Sequence, residues 1–186
     1  MTGLDALLSD TSFRSAGEVD SAVPDEYGVY AIRLADGATL PEPFGLLLDQ
    51  WDHRVIYIGQ ARQQTLSVRL LGNELRARGN GTFFRSLGAV LGYRPPQGSL
   101  AGQKRQHNYR FAPADRDAIV SWINNCLLVS WAVLSPDEVH TSEVELIKEH
   151  TPLMNLQDNP RALAELRTLR GLCRQIAASP PTFSQK

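Results

Sequence analysis

The sequence predicts a single mixed α/β domain in which three strands are separated and flanked by helices. The chain has 186 residues, of which 42% are hydrophobic, enough for one sizeable core and too short for two large domains. Two segments have the composition of half-buried strands, and a third is almost wholly apolar. We expect an N-terminal extension at 1–23, a core domain at 24–158, and a C-terminal helix with a disordered tail at 159–186.

The three predicted strands differ in how they are bounded. Residues 26–34, EYGVYAIRL, alternate like a half-buried strand, and 54–60, RVIYIGQ, form the second. The connection at 35–54 is too long for a tight hairpin turn, so we expect an elaborated loop in which 44–48, FGLLL, packs as a short element. The apolar segment LLVSWAVL, at 127–134, is predicted to be the central buried strand.

Helical periodicity accounts for most of the remaining chain. In the first helical segment Val68, Leu71 and Leu75 recur at helical spacing and are expected to face inward, and Gly79, Asn80 and Gly81 end it. The polar, basic segment 97–108 is expected to be a mobile loop. The predicted helices outside 135–150 are 66–78, 82–93, 115–125 and 161–178.

The helix that begins after Ser135 carries its own start signal. Ser135 and Glu138 form an S-x-x-E capping box, with a proline at the first helical position. This register places Glu143 on the same stripe as Val139 and Leu146. An unpaired charge inside would cost several kcal/mol unless it were neutralised, paired or metal-bound. Two interpretations of Glu143 follow. Its side chain lies at an edge and reaches either solvent or a neighbouring arginine, or it is a ligand for a cation.

Several classes of protein are disfavoured by composition. No segment approaches the roughly 18 apolar residues of a membrane span, and the start lacks the pattern of a signal peptide. We therefore expect a cytoplasmic protein with no membrane partner. Cys126 and Cys173 lie in apolar helical contexts and are expected to be buried thiols. The four histidines form no zinc pattern, so no structural metal is expected.

Charge is distributed unevenly along the chain. Residues 54–110 contain ten basic side chains against one acid, whereas residues 1–53 contain two basic and ten acidic side chains. A basic block of this kind is typical of a surface that meets phosphates. The alternative is a solvated surface balanced by the acidic N-terminal third.

An ordered set of motifs resembles the GIY-YIG nuclease superfamily. It consists of GVY at 28–30, YIG at 57–59, Arg69 in the next helix, and Glu143 twelve residues before Asn155. The resemblance implies a small three-stranded, mainly antiparallel sheet flanked by helices. It also implies hydrolysis of phosphodiesters with one divalent ion, Mg²⁺ or Mn²⁺.

The resemblance also implies a role for each matching side chain. Glu143 would bind the metal, and Arg69 would donate a fork of hydrogen bonds to the scissile phosphate. Tyr30 would be a general base or would orient water, and Tyr57 would orient the phosphate or the water. Because a free tyrosine has a pKa of about 10, Tyr30 could act as a base only if its pKa were lowered. The residues implied in support of the site are Gly28, Gly59 and Asn155.

Four features depart from the family pattern. The connection between the two motif strands is long, and two extra residues separate Gly59 from Arg69, which leaves Arg62 as the alternative catalytic arginine. Gln60 stands where many members have lysine or another polar residue. Asn73 occupies a position often filled by histidine or tyrosine, so the rate or its pH dependence is expected to differ.

The predicted partner is double-stranded DNA. Phosphate contacts would position the DNA without reading its sequence, whereas Gln103, Gln106 and Asn108 have side chains suited to reading bases. The helix at 161–178 offers a surface for a homodimer, although packing on its own domain is the default. Two alternatives stay open, an inactive nucleic-acid-binding module of the same fold and a protein-interaction domain. The predicted DNA-contacting residues are Arg62, Arg76, Arg78, Arg85, Lys104, Arg105 and Arg110.

Overall fold

A four-stranded antiparallel sheet forms the centre of the protein. The computed structural model describes residue 4 and residues 6–102 and 108–180. The strands are β1 (Arg14–Ser15), β2 (Gly28–Leu34), β3 (Val55–Ala61) and β4 (Leu127–Val133), in the order β1-β4-β2-β3. The prediction of three strands is therefore wrong. The additional strand, β1, has only two residues, too few to show the alternation by which a strand is recognised.

Helices cover both faces of this sheet, and every predicted helical segment is confirmed. The Ser135 N–H donates to the Glu138 carboxylate at 3.3 Å, as the predicted capping box requires. The helices are α1 (Phe44–Leu48), a π-helix (Ser67–Leu75), α2 (Thr82–Val90), α3 (Pro113–Cys126), α4 (Pro136–His150) and α5 (Ala164–Ala178), with short 3₁₀ turns at Asp10–Ser12 and Ala16–Glu18. Within the described part of the chain, none of them is both long and apolar enough to span a bilayer.

The sheet separates two clusters of buried side chains. On one face α4 and the N-terminal segment pack against β2 and β3. On the other face the π-helix, α2, α3 and α5 enclose the larger cluster, which contains Tyr30 and Tyr57. Because β3 is an edge strand, side chains of the π-helix and of α4 can reach one cleft beyond it although the two helices pack on opposite faces. The buried side chains on the α4 face include Leu7, Val29, Ala31, Ile58, Val139 and Ile147.

Both ends of the described chain contribute to this core. Leu7 is buried, and its carbonyl accepts a hydrogen bond from the Ser130 hydroxyl at 2.6 Å. At the other end, Leu166 and Cys173 of α5 belong to the larger cluster. The apolar face of α5 is thus covered by its own domain. Cys126, predicted to be buried, is partly exposed at the end of α3.

The long connection at 35–54 packs onto the end of α4. It contains α1, the short element predicted at 44–48. The indole N–H of Trp51 donates to the carbonyl of Thr151 at 2.8 Å, and the Arg161 guanidinium lies 3.7 Å from the centre of the Trp51 ring. These contacts fasten the connection to the segment that follows α4.

The π-helix changes which side chains of its segment are buried. Leu71 and Leu75 face inward as predicted, but Val68 is 45% exposed and Leu70 is buried instead. The prediction used the α-helical repeat of 3.6 residues, whereas a π-helix hydrogen-bonds each residue to the fifth one along and has a wider turn. The inward face is therefore shifted along the sequence.

Candidate active site

A cleft of about 310 Å³ opens at the free edge of β3, where the π-helix and α4 meet. We call it the central cleft. Tyr57 comes from β3, Arg69 from the π-helix and Glu143 from α4, so three elements that are distant along the chain converge on it. The lining also includes Asn155, Asp158 and Arg170.

Glu143 faces this cleft rather than the middle of the sheet. Val139 and Ile147 hold α4 against the sheet, and Glu143 on the same stripe extends past the edge strand. Its side chain is 13% exposed. Burial, followed by the nearby Asp158, raises the pKa of Glu143 to about 7, and Arg69 partly opposes that rise. The site therefore holds a carboxylate whose ionised form lacks full compensation.

Strand register brings the two motif tyrosines together. Tyr30 of β2 lies opposite Gly59 of β3, and Ile32 lies opposite Tyr57, so both tyrosines project from one face of the sheet. Their ring centroids are 6.3 Å apart. A Cβ atom at position 59 would lie 2.5 Å from both Cζ and the hydroxyl oxygen of Tyr30 and 2.8 Å from Cε1 of Tyr57. Glycine at 59 is what allows the Tyr30 side chain to lie across β3.

This contact gives a prediction for Gly59→Ala. Since the rings are packed and cannot swing away freely, we expect about 1–3 kcal/mol of destabilisation. Gly171→Ala in α5 is the matched control, because a Cβ there meets nothing within 4 Å and alanine favours helix by about 1 kcal/mol. Thermal melts of both variants should therefore shift in opposite directions. A Gly59→Ala protein as stable as the wild type would contradict the close packing.

Tyr30 lies behind the cleft rather than in its wall. It is fully buried and does not line the central cleft. Its hydroxyl makes no hydrogen bond of good geometry among the described residues, although it lies close to the Arg69 guanidinium. Burial, followed by Glu74 and Tyr57, raises the pKa of Tyr30 well above its ordinary value, although Arg69 opposes the rise. Burial also raises the pKa of Tyr57. The lowered pKa that a tyrosine base needs is found for neither phenol.

Arg69 is held by a buried glutamate that the sequence did not single out. Its Nη2 lies 3.1 Å from the Oε1 of Glu74, and its Nη1 donates to the Asn80 carbonyl at 3.3 Å. Glu74 is five positions after Arg69 along the chain. In an α-helix that spacing would turn the two side chains about 140° apart, whereas in a π-helix residues five apart are stacked. The π-helix is therefore what allows this ion pair.

The same glutamate also caps α2. Glu74 is fully buried, and its two carboxylate oxygens accept the backbone N–H groups of Thr82 and Phe84, each at 3.0 Å. Burial raises the pKa of Glu74, while Arg69 and the two N–H donors oppose that rise. Three donors are directed at this carboxylate, and hydrogen bonds of this kind favour its ionised form. It connects Arg69 to the N-terminus of α2.

Asn155 and Gly28 support the strands behind the site. The Asn155 side chain accepts the Ile58 N–H at 2.9 Å and donates to the Ile58 carbonyl at 2.8 Å. Both bonds clamp the free edge of β3 next to Tyr57. At position 28 a Cβ would collide with the carbonyl oxygen of Ala132, so only glycine permits this approach of β2 and β4.

Three residues of the central cleft were not found from the sequence. Asp158 and Arg170 line it from the chain beyond Asn155, and no recognised motif contains them. His140 lies one turn before Glu143, with its Nδ1 4.0 Å from the Glu143 carboxylate. Its spacing of three residues on one helix was the available signal, because such residues share a face.

A wider cleft of about 770 Å³ adjoins the central one and receives part of the predicted DNA-contacting set. Arg62 and Arg85 line it together with Arg69, and so do Asn73 and Asn108. Arg62 is exposed, whereas Arg85 is largely buried. Burial, followed by the nearby Arg170, lowers the pKa of Arg85. The predicted fallback Arg62 thus lies in the adjoining cleft, whereas Arg69 lines both clefts and is the motif arginine of the central one.

The other predicted contacts lie elsewhere. Arg76 is engaged by Asp20, with Nη2 2.5 Å from a carboxylate oxygen, and by the Asn124 side chain at 2.9 Å. Arg78 is exposed and lines neither cleft, and Arg110 lines a small recess beside Arg85. Lys104, Arg105, Gln103 and Gln106 lie outside the described residues.

Comparison with known families decides what kind of site this is. The family model of the GIY-YIG catalytic domain matches residues 28–172. The chain belongs to the GIY-YIG family. The match begins at the first residue of β2 and extends into α5, so it includes every element that lines the central cleft. No curated protein and no solved structure matched the chain. Members of the GIY-YIG family are typically endonucleases.

The residues of this GIY-YIG site fit a divalent metal ion. The described part of the chain contains no cluster of three or more histidine, cysteine or acidic side chains that would form a protein cage. Mg²⁺ does not require such a cage, because it keeps several waters and takes one or two carboxylates together with substrate phosphate. Glu143 and Asp158 supply two carboxylates in one cleft, and the raised pKa of Glu143 indicates a charge in need of a counter-ion.

Proposed function

We propose that this GIY-YIG protein is a metal-dependent DNA endonuclease that hydrolyses phosphodiester bonds by water attack. The observation that carries the proposal is the convergence of Glu143, Arg69 and Tyr57 on the central cleft. An inactive binding module would have no need for a partly buried carboxylate beside a guanidinium. The family membership supports nuclease activity in general, and the substrate and the metal are parts of the proposal.

Glu143 would hold Mg²⁺ or Mn²⁺, with Asp158 as a second carboxylate on the same side of the cleft. When bound, a divalent cation stabilises the negative charge on the phosphoryl oxygens and lowers the pKa of a water molecule that it binds. Burial and then the negative charge of Asp158 raise the pKa of Glu143, so an incoming positive charge would favour loss of the Glu143 proton. Metal affinity should therefore increase as pH rises towards about 7.

Arg69 would donate to the scissile phosphate from the other wall of the cleft. Its guanidinium is oriented by Glu74 and Asn80, which fixes the fork before substrate arrives. Tyr57 lines the cleft and would orient the attacking water or the phosphate. Tyr30, with its raised pKa and buried hydroxyl, would position Arg69 and Tyr57 rather than accept a proton.

Double-stranded DNA is the substrate that the surroundings favour. The wide cleft carries Arg62, Arg69 and Arg85, and no carboxylate lines it in the described part of the chain. Neutral amide side chains, among them Asn73 and Asn108, line the same cleft and have the groups needed to contact bases. We propose that the enzyme is cytoplasmic. It would need to act as a homodimer only if the DNA sequence that it cuts is palindromic.

Incubation of supercoiled plasmid tests this function. We expect nicked or linear DNA with the wild-type protein and Mg²⁺, and intact plasmid with EDTA or with Glu143→Ala. Glu145→Ala is the matched control, because Glu145 is exposed on the outer face of the same helix. It should cut as the wild type does. Intact plasmid in every lane, with Mg²⁺ and with Mn²⁺, would exclude the proposal for plasmid DNA.

A further inference from the structure

The two clefts continue into a third recess on the surface of α5. The central cleft shares Arg69 and His140 with the wide cleft on one side. On the other side it shares Leu156 and Arg170 with a groove of about 340 Å³, which we call the α5 groove. The three recesses are therefore contiguous, and the central cleft shares lining residues with each of the other two.

Cations dominate the lining of the α5 groove. It is lined by Arg167, Arg170 and Arg174 of α5, together with Gly171, Leu156 and Tyr109. These arginines lie at helical spacings of three and four residues, so they share one face of α5. No carboxylate lines the groove within the described parts of the chain.

The charge alternates across these three recesses. The wide cleft and the α5 groove each carry three arginines, whereas the central cleft has Glu143 and Asp158 against Arg69 and Arg170. This distribution suits a linear polyanion that crosses the molecule and places one phosphate at the acidic centre, where a cation would be held. From Arg167 to Arg174, α5 rises about 10 Å, which matches about three base pairs of duplex.

We propose that the α5 groove binds the phosphates of duplex DNA on one side of the scissile bond, opposite the segment held in the wide cleft. This inference rests on the proposed function and adds a second contact surface to it. From the sequence, α5 was predicted only to pack on its own domain or to form a dimer surface. Its apolar face packs in the core of the domain.

Local contacts set up this face for phosphates. Arg167 donates to the Leu156 carbonyl at 2.9 Å, and Arg170 donates to the Ser86 hydroxyl at 3.3 Å, so each guanidinium is oriented while keeping other N–H groups. Gly171, one turn after Arg167, also lines the groove, and a Cβ added there meets nothing within 4 Å. The missing side chain leaves room for a DNA backbone.

The open space at Gly171 allows a test by charge alone. Gly171→Glu and Gly171→Gln have the same shape, and both should form the helix more readily than glycine. We expect Gly171→Glu to bind a labelled 30-base-pair duplex at least ten-fold more weakly than Gly171→Gln in EDTA and about 0.1 M salt. Its affinity should also fall less steeply with salt, by about one unit of log–log slope for each phosphate that the groove no longer binds.

Two controls make the outcome decisive. Lys148→Glu places a negative charge on an exposed part of α4 that lines none of the three recesses, and it should change affinity less than two-fold. Melting temperatures of the two Gly171 variants should agree, which separates charge from folding. The proposal that the α5 groove binds DNA would be overturned if Gly171→Glu and Gly171→Gln bound the duplex equally well, or if the wild-type protein bound no duplex.

The binding test is independent of cutting. If wild-type protein cuts plasmid while both Gly171 variants bind equally, the groove proposal fails and the nuclease proposal stands. If Gly171→Glu alone loses duplex affinity while no protein cuts DNA, the groove is supported as a nucleic-acid surface and the catalytic proposal fails.

Discussion

Glu143→Gln is expected to abolish DNA cutting and, at the same time, to stabilise the metal-free protein at pH 8. The two effects have one cause. The cleft holds a carboxylate whose ionised form is disfavoured by burial and by Asp158. Glutamine has a similar shape and no charge, so it removes that cost together with the metal ligand. We expect a gain of about 3 kcal/mol at pH 8, because the pKa is raised from 4.5 to about 7.

The sign of this effect depends on pH. The pKa of Glu143 is raised from 4.5 to about 7 in the folded protein. Below pH 4.5 the group is protonated in both folded and unfolded chains and costs nothing. As pH rises to about 7, the unfolded chain ionises first, so the wild type loses stability relative to the glutamine variant. Above about pH 7 the difference stays constant.

Thermal melts in EDTA between pH 5 and pH 8 measure this difference. For a chain of this length the gain at pH 8 corresponds to about 5–10 °C, and it should shrink towards pH 5. Added Mg²⁺ should stabilise the wild type and leave the variant unchanged. Glu145→Gln, on the exposed face of α4, should alter neither quantity. A melting difference that is the same at pH 5 and pH 8 would contradict the assignment of the raised pKa to Glu143.

Glu74→Gln is expected to cause the largest combined loss of stability and activity outside the metal ligand. It breaks a buried ion pair and leaves Arg69 partly buried without its counter-charge, a change that costs about 3–5 kcal/mol. The amide also presents a donor where Thr82 and Phe84 direct N–H groups. We expect a melting temperature about 10 °C lower and a cutting rate reduced at least 100-fold, measured well below the melting transition.

A double-mutant cycle separates positioning from simple destabilisation. If Glu74 acts by holding Arg69, then adding Glu74→Gln to Arg69→Ala should reduce the cutting rate little further. Leu34→Ala is the control for stability, because Leu34 is buried at the far end of β2 and its truncation costs a comparable 2–5 kcal/mol. That variant should cut normally when folded. Fully additive losses in the cycle would exclude Glu74 as a positioning residue.

Much of the site could be predicted because short-range signals specify it. The capping box at Ser135 fixes the register of α4, and that register places Glu143 correctly on the inward stripe. The glycine of the YIG motif marks a point where a side chain would collide with Tyr30. Signals of this kind depend only on neighbours in sequence or on backbone geometry, so they can be recognised without the fold.

Other members of the site could not be predicted because their role comes from contacts distant in sequence. Asp158 and Arg170 follow the last motif residue and join the cleft only when the chain returns past β3. The environment of Tyr30 also depends on the whole core, since burial is the main cause of its raised pKa. The fourth strand, β1, is too short to leave a pattern and exists through its pairing with β4.

By itself the sequence determined the order of the elements and the identities of Tyr57, Arg69 and Glu143 as candidate site residues. Only the tertiary structure decided that Arg69 is paired with Glu74 and that the Glu143 side chain extends beyond the edge of the sheet into a cleft. The physical reason is the wide turn of the π-helix and the open edge of β3. The π-helix cannot be recognised from a repeat of 3.6 residues, and the open edge of β3 cannot be recognised from the alternation of a strand. Both depend on how separate elements pack together.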